Sequence, residues 1–255
     1  MNHFNKIKCW YGFPAELSDE IAETVFHKVL SEPEKARNLR YRHERDRRLH
    51  LLARWMVRSL LSSLEPEISP AEWNFDQDIY GKPHISGPLR GVKRFHFNVS
   101  HTDGLVVVAI SNCGPVGVDV ENPSRPMDFL GLANRFFSAI EAEKIRNCES
   151  EKLVSEFFKT WTLKESYVKA IGKGLAHGLD SFWFKGVSLD TNGLENSDLF
   201  LIDQANGESR HDDAWECWSW RIGEIPGWMI SVVAGRASES GRNELEIRPF
   251  EIGKS

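Results

Sequence analysis

The sequence predicts an α+β protein of two halves, residues 1–122 and 123–255, in each of which helices are followed by a small sheet. Two observations support this prediction. In both halves the apolar residues first recur every three or four positions, as in a helix, and then alternate with polar residues, as in a strand. The composition, with 41% hydrophobic and 27% charged residues, is ordinary for a globular protein that buries a core.

The first half begins with two predicted helices, at residues 15–30 and 33–63. The buried face of the second helix is predicted from five apolar residues: Leu49, Leu52, Ala53, Met56 and Leu60. Arg45 lies one turn before Leu49, so we expect it to face inward and to meet an anion. Three other arginines are expected on the opposite, solvent-facing side: Arg47, Arg54 and Arg58.

Three strands are predicted between residues 79 and 121, because alternation recurs in the segments RFHFNVSH, LVVVAIS and PVGVDVE. The links between these segments are short, which favours an antiparallel meander. The second half has predicted helices near 133–147 and at 150–171, followed by four strands. The last two strands flank a Gly/Pro turn and indicate a hairpin, whereas the polar tail from residue 236 is expected to be peripheral.

Charge and cysteine content exclude several classes of protein. A formal net charge of −5 argues against a general nucleic-acid binder. The four cysteines are scattered, which favours free thiols over a zinc site or a disulfide framework. No apolar secretory segment begins the sequence, and no apolar run is long enough to cross a bilayer. We therefore expect a cytoplasmic protein that does not enter a membrane.

Three acidic residues are candidates for a metal site. In GVDVE, Asp119 and Glu121 lie on the same side of a strand, roughly 7 Å apart, and a cation would relieve their repulsion. A solvated acidic pair is the common alternative. Glu165 falls within the apolar stripe of the helix at 150–171, where it needs a cation or a donor. The alternative there is an internal ion pair with Lys169, four residues on.

Cations and hydroxyl donors near turns and element ends could bind a phosphate. The candidates are Arg45, Lys82, Ser100, His101 and Lys169. His101 alone is more often structural, but it follows a strand directly in a chain that also has the acidic pair. Hard oxygen ligands completed by water and phosphate favour Mg²⁺ over zinc.

Three separated motifs resemble those of the 4′-phosphopantetheinyl transferases, in particular the long, monomeric type that activates peptide synthetases and other carrier-protein enzymes. The first is YGKPHI followed by FNVSHT, the second is GVDVE, and the third is FFKTWTLKESYVKAIGKGL. Their order and spacing across residues 33–185 also match the family. The resemblance implies two similar α/β-sheet halves related by a pseudo-twofold axis, with coenzyme A in the cleft between them.

The resemblance also implies roles for individual residues. Asp119 and Glu165 would hold Mg²⁺ on the coenzyme A pyrophosphate, and Glu121 would be a third ligand, direct or through water. Contacts with coenzyme A would come from Arg45, Lys82, Pro83, Asn98, Ser100, His101 and Lys169. Glu165, or a water that it orients, would accept the proton of the carrier serine, and Lys169 would stabilise the departing 3′,5′-ADP. Glu141 corresponds to an acid near the cleft without an assigned role.

The expected partner is an apo acyl or peptidyl carrier protein, and the resemblance does not say which kind is preferred. Asp103 and the segment 176–178 depart from the family pattern, the latter at the expected carrier-docking edge. Two alternatives stay open. One is a phosphohydrolase that releases 3′,5′-ADP without modifying a carrier, and the other is a non-catalytic protein that binds coenzyme A or a carrier.

Overall fold

The computed structural model describes residues 6–87, 95–124, 126–189, 193–223, 227–236 and 243–252. Its helices are α1 Asp19–Lys28, α2 Glu32–Arg40, α3 Glu44–Leu64, α4 Phe129–Phe136, α5 Ala139–Arg146 and α6 Ser150–Ile171. Its strands are β1 Lys6–Gly12, β2 Phe75–Gln77, β3 Pro83–Ile85, β4 His96–Thr102, β5 Leu105–Ser111, β6 Val116–Glu121, β7 Phe182–Leu189, β8 Glu195–Ile202, β9 Ser209–His211, β10 Trp215–Ile222, β11 Trp228–Gly235 and β12 Glu244–Pro249. The predicted α+β class is confirmed.

Two of the predicted helices are each divided in two. The helix predicted at 33–63 becomes α2 and α3, because the backbone is extended at Tyr41 and at His43. The helix predicted near 133–147 becomes α4 and α5, with Ser138 capping the start of α5. Neither break contains a proline or a glycine, so the sequence carries no helix-stop signal at these positions. α6 has the predicted bounds and ends at Gly172, whose φ of 69° suits glycine.

The strands form two main sheets and a small hairpin of β2 and β3. The first sheet has the order β12-β1-β5-β4, and the second has β6-β11-β10-β8-β7 with β9 on β8. The hairpin predicted at the last two strands of the second half is confirmed, because β10 and β11 pair antiparallel. The predicted meander is only partly right: β4 pairs with β5, but β6 pairs with β11 in the other sheet.

β6 belongs to the second sheet, and both of its faces are buried. Its three valines pack between the two sheets against residues of β1, β5, β10 and β11. Its other face lies against α6, which packs on both β6 and β11. Alternation in the sequence predicted the strand but not the edge with which it pairs.

The tail predicted to be peripheral instead contributes an edge strand. β12 pairs parallel with β1, from Lys6 opposite Glu244 to Tyr11 opposite Pro249. Phe250, directly after β12, is buried in the core beneath α3 and packs its ring against Trp55. Each main sheet thus contains a strand from the other half of the chain, while the division at residue 122 stays a prediction.

The arginines of α3 do not all face solvent as predicted. Arg58 has 1% of its surface exposed, and the side chain of Arg54 has 17%. The helix contacts β4 and β5 as well as α1, α2 and the turn at Pro70–Glu72, so neighbours cover it on several sides. A helical wheel assumes one buried face and fails for a helix in this position. No helix in the described part of the chain is long and apolar enough to span a membrane.

Candidate active site

Three of the predicted site residues meet where β4, β6 and α6 converge. Asp119 is buried on β6, and its Oδ1 accepts hydrogen bonds from Ser100 Oγ at 2.8 Å and from Lys169 Nζ at 2.6 Å. Lys169 Nζ also donates to Ser100 Oγ at 3.1 Å. Lys169 therefore lies against Asp119 rather than pairing with Glu165, which was the open alternative.

A close approach of two backbones brings these residues together. A Cβ on Gly117 would lie only 2.0 Å from the carbonyl oxygen of Ser166 and 2.5 Å from the amide nitrogen of Ala170. Ser166 Oγ in turn donates to the carbonyl of Ser231 on β11 at 2.8 Å. Because α6 lies directly on β6 and β11, the lysine that follows Ser166 by three residues reaches Asp119.

The second oxygen of Asp119 has unmet bonding capacity. Asp119 Oδ2 is buried and has no hydrogen-bond partner within the described residues. Partial burial raises the pKa of Glu165, the charge of Asp119 raises it further, and Lys169 opposes the shift. The two carboxyl groups are therefore close enough to repel each other, which a bound cation would relieve.

The structure gives a mixed result for a three-acid metal site. Glu121, the last residue of β6, lies on the same strand face as Asp119 and opposite Met229 of β11. Within the described ranges, no group of three or more His, Cys, Asp or Glu side chains is arranged so that it could hold a metal ion. The buried free oxygen of Asp119 and its neighbour Glu165 suit a hard cation, whereas the full trio with Glu121 stays a prediction.

Lys82 and Asn98 connect elements around this point. Lys82 Nζ donates to the carbonyls of Ala170 at 2.8 Å and Val116 at 3.3 Å, and burial lowers the pKa of Lys82 to about 8. Asn98 Oδ1 accepts from the amide of Val118 at 2.9 Å and so joins β4 to β6. A cavity of about 230 Å³ lies here, lined by Lys82, Pro83, Asn98 and Lys169 among others.

Arg45 does not face inward as predicted. Its side chain is 64% exposed and pairs with Asp103 at 3.3 Å, because α3 begins only at Glu44 and its first turn extends beyond the core. His101 lies near the end of β4 with part of its ring in solvent. The protein packed around this ring lowers the pKa of His101, and the positive charges of Lys169 and nearby arginines lower it further.

A second cavity, of about 500 Å³, contains cationic residues that the sequence did not single out as ligands. We call it the arginine cavity, and its walls include Arg37, His50, Arg54, Phe75 and Pro83. Helical periodicity had placed Arg54 in solvent and missed the break after α2 that sets Arg37 beside α3. A histidine within a run of arginines was the signal that could have indicated this site.

The protonation of His50 suits an anion in the arginine cavity. The Asn38 side-chain amide lies 3.1 Å from His50 Nδ1 and donates to it, so the ring proton is on Nε2. That Nε2 is buried and has no partner within the described chain. Burial and the charges of Arg54 and Arg37 lower the pKa of His50 to about 4, so the ring is neutral near pH 7.

Glu141 lies in a separate buried ion pair. Its Oε2 is 2.7 Å from Lys164 Nζ, which is 0% exposed, and it accepts from Ser138 Oγ at 2.6 Å. Its other oxygen accepts from the amide of Phe184 at 3.1 Å. These contacts give Glu141 a role in joining α5, α6 and β7.

Comparison with known proteins identifies the family. Residues 115–225 match the model of the 4′-phosphopantetheinyl transferase superfamily, and residues 19–113 match that of the 4′-phosphopantetheinyl transferase N-terminal region. A putative 4′-phosphopantetheinyl transferase of Synechocystis is 30% identical over 210 residues, which are 78% of this chain and 82% of the relative. One from Aneurinibacillus migulanus is 36% identical over 171 residues, covering 66% and 68%, and one from Bacillus subtilis is 35% identical over 167 residues, covering 65% and 70%.

The chain therefore belongs to the 4′-phosphopantetheinyl transferase superfamily, and to its long type, as the motifs predicted. It is an enzyme of the transferase class. The superfamily match includes Asp119, Glu165 and Lys169, and the N-terminal match includes the arginine-cavity residues of α2 and α3.

Proposed function

We propose that the protein transfers the 4′-phosphopantetheine group of coenzyme A to a serine of an apo carrier protein and releases 3′,5′-ADP in a Mg²⁺-dependent reaction. The observation that carries this proposal is the arrangement at Asp119, where a lysine and a serine hold one oxygen and the other is buried without a protein partner in the described chain. Family membership supports the same chemistry.

Asp119 and Glu165 are the residues that would hold Mg²⁺, with Glu121 as a further ligand, direct or through water. When bound, the ion supplies positive charge beside a phosphate that gains negative charge in the reaction. The donor set fits this role because all three ligands are carboxylates, which are hard oxygen donors.

The chain's own residues would carry the remaining steps. Glu165, or a water that it orients, accepts the proton of the carrier serine as the serine oxygen bonds to the β-phosphorus of coenzyme A. The bond from that phosphorus to the bridging oxygen breaks, and 3′,5′-ADP leaves with the electron pair. Lys169 would neutralise the leaving phosphate. Ser100, His101 and Lys82 would donate to the other phosphate oxygens.

The arginine cavity would take the 3′-phosphoadenosine end of coenzyme A. A 3′-phosphate needs several donors with positive charge nearby, and the cavity is lined by Arg37, Arg54 and His50, whose buried Nε2–H has no partner within the described residues. Phe75 and Pro83 line the same cavity and offer apolar contact to a purine. Arg54 is thus the residue of α3 that we assign to coenzyme A, in place of the solvent-exposed Arg45.

The active site would lie in a cleft between two halves related by a pseudo-twofold axis, in a monomeric cytoplasmic enzyme. Its macromolecular partner would be an acyl or peptidyl carrier protein.

The test is incubation with coenzyme A, Mg²⁺ and a panel of apo carrier proteins, followed by intact mass measurement. We expect at least one carrier to gain a phosphopantetheine. Release of 3′,5′-ADP without a modified carrier would instead indicate a phosphohydrolase, and binding of coenzyme A without turnover would indicate a non-catalytic protein.

Variants of Asp119 and Glu165 test the proposed metal site. Asp119→Asn and Glu165→Gln should each lower transfer by roughly 100-fold or more, because each removes a charge that the proposed site requires. Glu151→Gln is a matched control, since Glu151 is exposed at the start of the same helix. Near-normal turnover of either site variant over a range of Mg²⁺ concentrations would contradict the assignment.

A further inference from the structure

Arg58 is a completely buried arginine whose bonds join three parts of the chain. Its Nε donates to Glu34 Oε2 on α2 at 3.0 Å, and its second terminal nitrogen lies 2.8 Å from the same oxygen. Its first terminal nitrogen donates to the carbonyls of Pro70 at 2.9 Å and Trp73 at 2.8 Å. A guanidinium is a rigid fork, so it fixes the distances between the groups that it bonds.

The segments joined by Arg58 both contribute residues to the lining of the arginine cavity. On one side, Glu34 lies one helical turn before Arg37, which is among the proposed phosphate ligands. On the other side, the bonded carbonyls precede Phe75, whose ring lies 5.2 Å below the guanidinium and lines the cavity. Arg58 therefore links the α2 residues of the cavity lining to Phe75.

Arg58 also pairs with a negatively charged residue of the cavity lining, Glu34. Glu34 lines the cavity, and its carboxylate would repel a phosphate. The ion pair with Arg58 and the hydrogen bonds from the Ser31 amide and hydroxyl hold Oε2 of that carboxylate, while Arg54 Nε lies 3.9 Å from its Oε1. A buried ion pair often adds little stability compared with apolar packing, which makes stability alone a weak explanation for this arrangement.

Arg58 also lines the arginine cavity, but its guanidinium is already bonded to Glu34 and to two carbonyls. We propose that Arg58 is a positioning residue, which sets the arginine cavity to recognise the 3′-phosphate through Arg37. This inference rests on the proposed function, since the ligand is taken to be the 3′-phosphoadenosine end of coenzyme A. It makes Arg58 responsible for the preference for a 3′-phosphorylated nucleotide rather than for the affinity for adenosine.

The probes for the test are 3′,5′-ADP and 5′-AMP, with their affinities measured by calorimetry on the full chain. Wild type should prefer 3′,5′-ADP by roughly 10- to 100-fold, because charge-assisted hydrogen bonds hold the additional phosphate. Arg58→Lys keeps the charge but loses the fork, and should remove most of this preference while 5′-AMP affinity changes less than about twofold. Loss of affinity for both ligands in equal proportion would overturn the proposal.

A double-mutant cycle with Arg37→Ala separates positioning from general damage. If Arg58 acts through Arg37, Arg58→Lys should weaken 3′,5′-ADP binding no further once Arg37 is alanine. If the fold loss of 3′,5′-ADP affinity in the double variant equals the product of the two single losses, the residues act independently and the proposal is contradicted. Arg48→Lys is the matched control, because Arg48 also bonds a distant segment from α3, at Leu17 and Asp19, but does not line the cavity.

Folding and function can be judged separately in this design. Circular dichroism shows whether Arg58→Lys is folded at the assay temperature. If it is not, Glu34→Asp carries the test, since it keeps the charge but shortens the link to Arg58 and should produce the same selective loss. The proposed function fails if no carrier is modified, whereas the role of Arg58 fails if the preference for 3′,5′-ADP is unchanged in a folded variant.

Discussion

The two carboxylate oxygens of Asp119 have different surroundings. Oδ1 is held by Lys169 and Ser100, whereas the buried Oδ2 has no partner within the described residues. A buried acceptor without a donor costs about 1–3 kcal/mol, and a charged one costs more. Such a cost persists at a site where a ligand provides the missing contact, and the proposed cation would do so. Lys169 is then a second positive charge on the same carboxylate.

His50 predicts a measurable dependence of stability on pH. Its pKa is lowered from 6.5 to about 4 in the folded protein, by burial and by the charges of Arg54 and Arg37, against a smaller opposing effect of Glu34. Between these pH values the unfolded chain binds a proton that the folded protein does not. The free energy of unfolding should therefore fall as the pH is lowered from about 6.5 to about 4, by up to about 3 kcal/mol from this residue.

Urea denaturation at several pH values tests this prediction, with His50→Gln as the comparison. Glutamine keeps an amide donor near Nε2 but does not titrate. The difference between the two proteins should shrink or reverse in favour of the variant as the pH falls through this window. Parallel curves would show that His50 does not titrate differently on folding.

Some site residues could be predicted from the sequence because their positions depend on local geometry. Alternation along β6 placed Asp119 on one strand face, and helical spacing placed Lys169 one turn after Glu165. The predictions that Arg45 faces inward and that Arg58 faces solvent were wrong for the same physical reason. Their environments depend on where α3 begins and on what covers it, which are tertiary properties that a helical wheel does not contain.

At the scale of elements, the active site depends on how closely α6 approaches β6. The helix lies nearly backbone to backbone on the strand at Gly117, where small residues separate the two. Hydroxyl contacts from Thr162 and Ser166 to Ser231 fix the helix against β11 as well, the first at 2.7 Å. The two proposed site residues on α6, Glu165 and Lys169, are therefore held by packing rather than by loops.

Gly117→Ala tests the dependence on this contact. The new methyl group would overlap the backbone of α6 and displace the helix from the strand, which should lower the free energy of unfolding by about 3 kcal/mol. Transfer activity should fall by more than this loss of folded protein explains, because Lys169 moves from Asp119. Gly186→Ala is the control, since a Cβ there meets nothing within 4 Å. Equal stability and activity of both variants would contradict this account.

The elements themselves were easier to predict than their pairing. α6 and the β10–β11 hairpin come from local patterns and were predicted correctly. The partner of β6 is β11, more than a hundred residues later, and neither strand carries a local signal for the other. Which distant strand pairs with β6 depends on tertiary packing, which local sequence patterns do not contain.

At the scale of the molecule, each main sheet contains a strand from the other predicted half of the chain, so the two predicted halves depend on each other. β6 from the first half completes the second sheet, and β12 from the end of the described chain forms an edge of the first. The valine face of β6 packs in the core shared by both sheets. Neither sheet can form completely from residues of its own half.

Truncation after residue 243 should therefore destabilise the first sheet and not only the chain end. It removes the ladder with β1 and the buried Phe250, whose amide donates to the Tyr11 carbonyl at 2.7 Å. We expect a loss of at least about 3 kcal/mol in urea denaturation, the typical cost of losing one buried phenylalanine. Phe250→Ala should lower the free energy of unfolding by less than the truncation does. Equal losses would show that pairing of β12 with β1 adds nothing to stability.

The parallel pairing of β1 with β12 has a consequence for synthesis on the ribosome. β1 is made more than two hundred residues before β12, the strand that pairs with this edge. Throughout translation one edge of β1 offers unpaired amide and carbonyl groups to other nascent chains. The interval between the two strands therefore leaves this sheet edge open on the growing chain, and slower translation lengthens that interval.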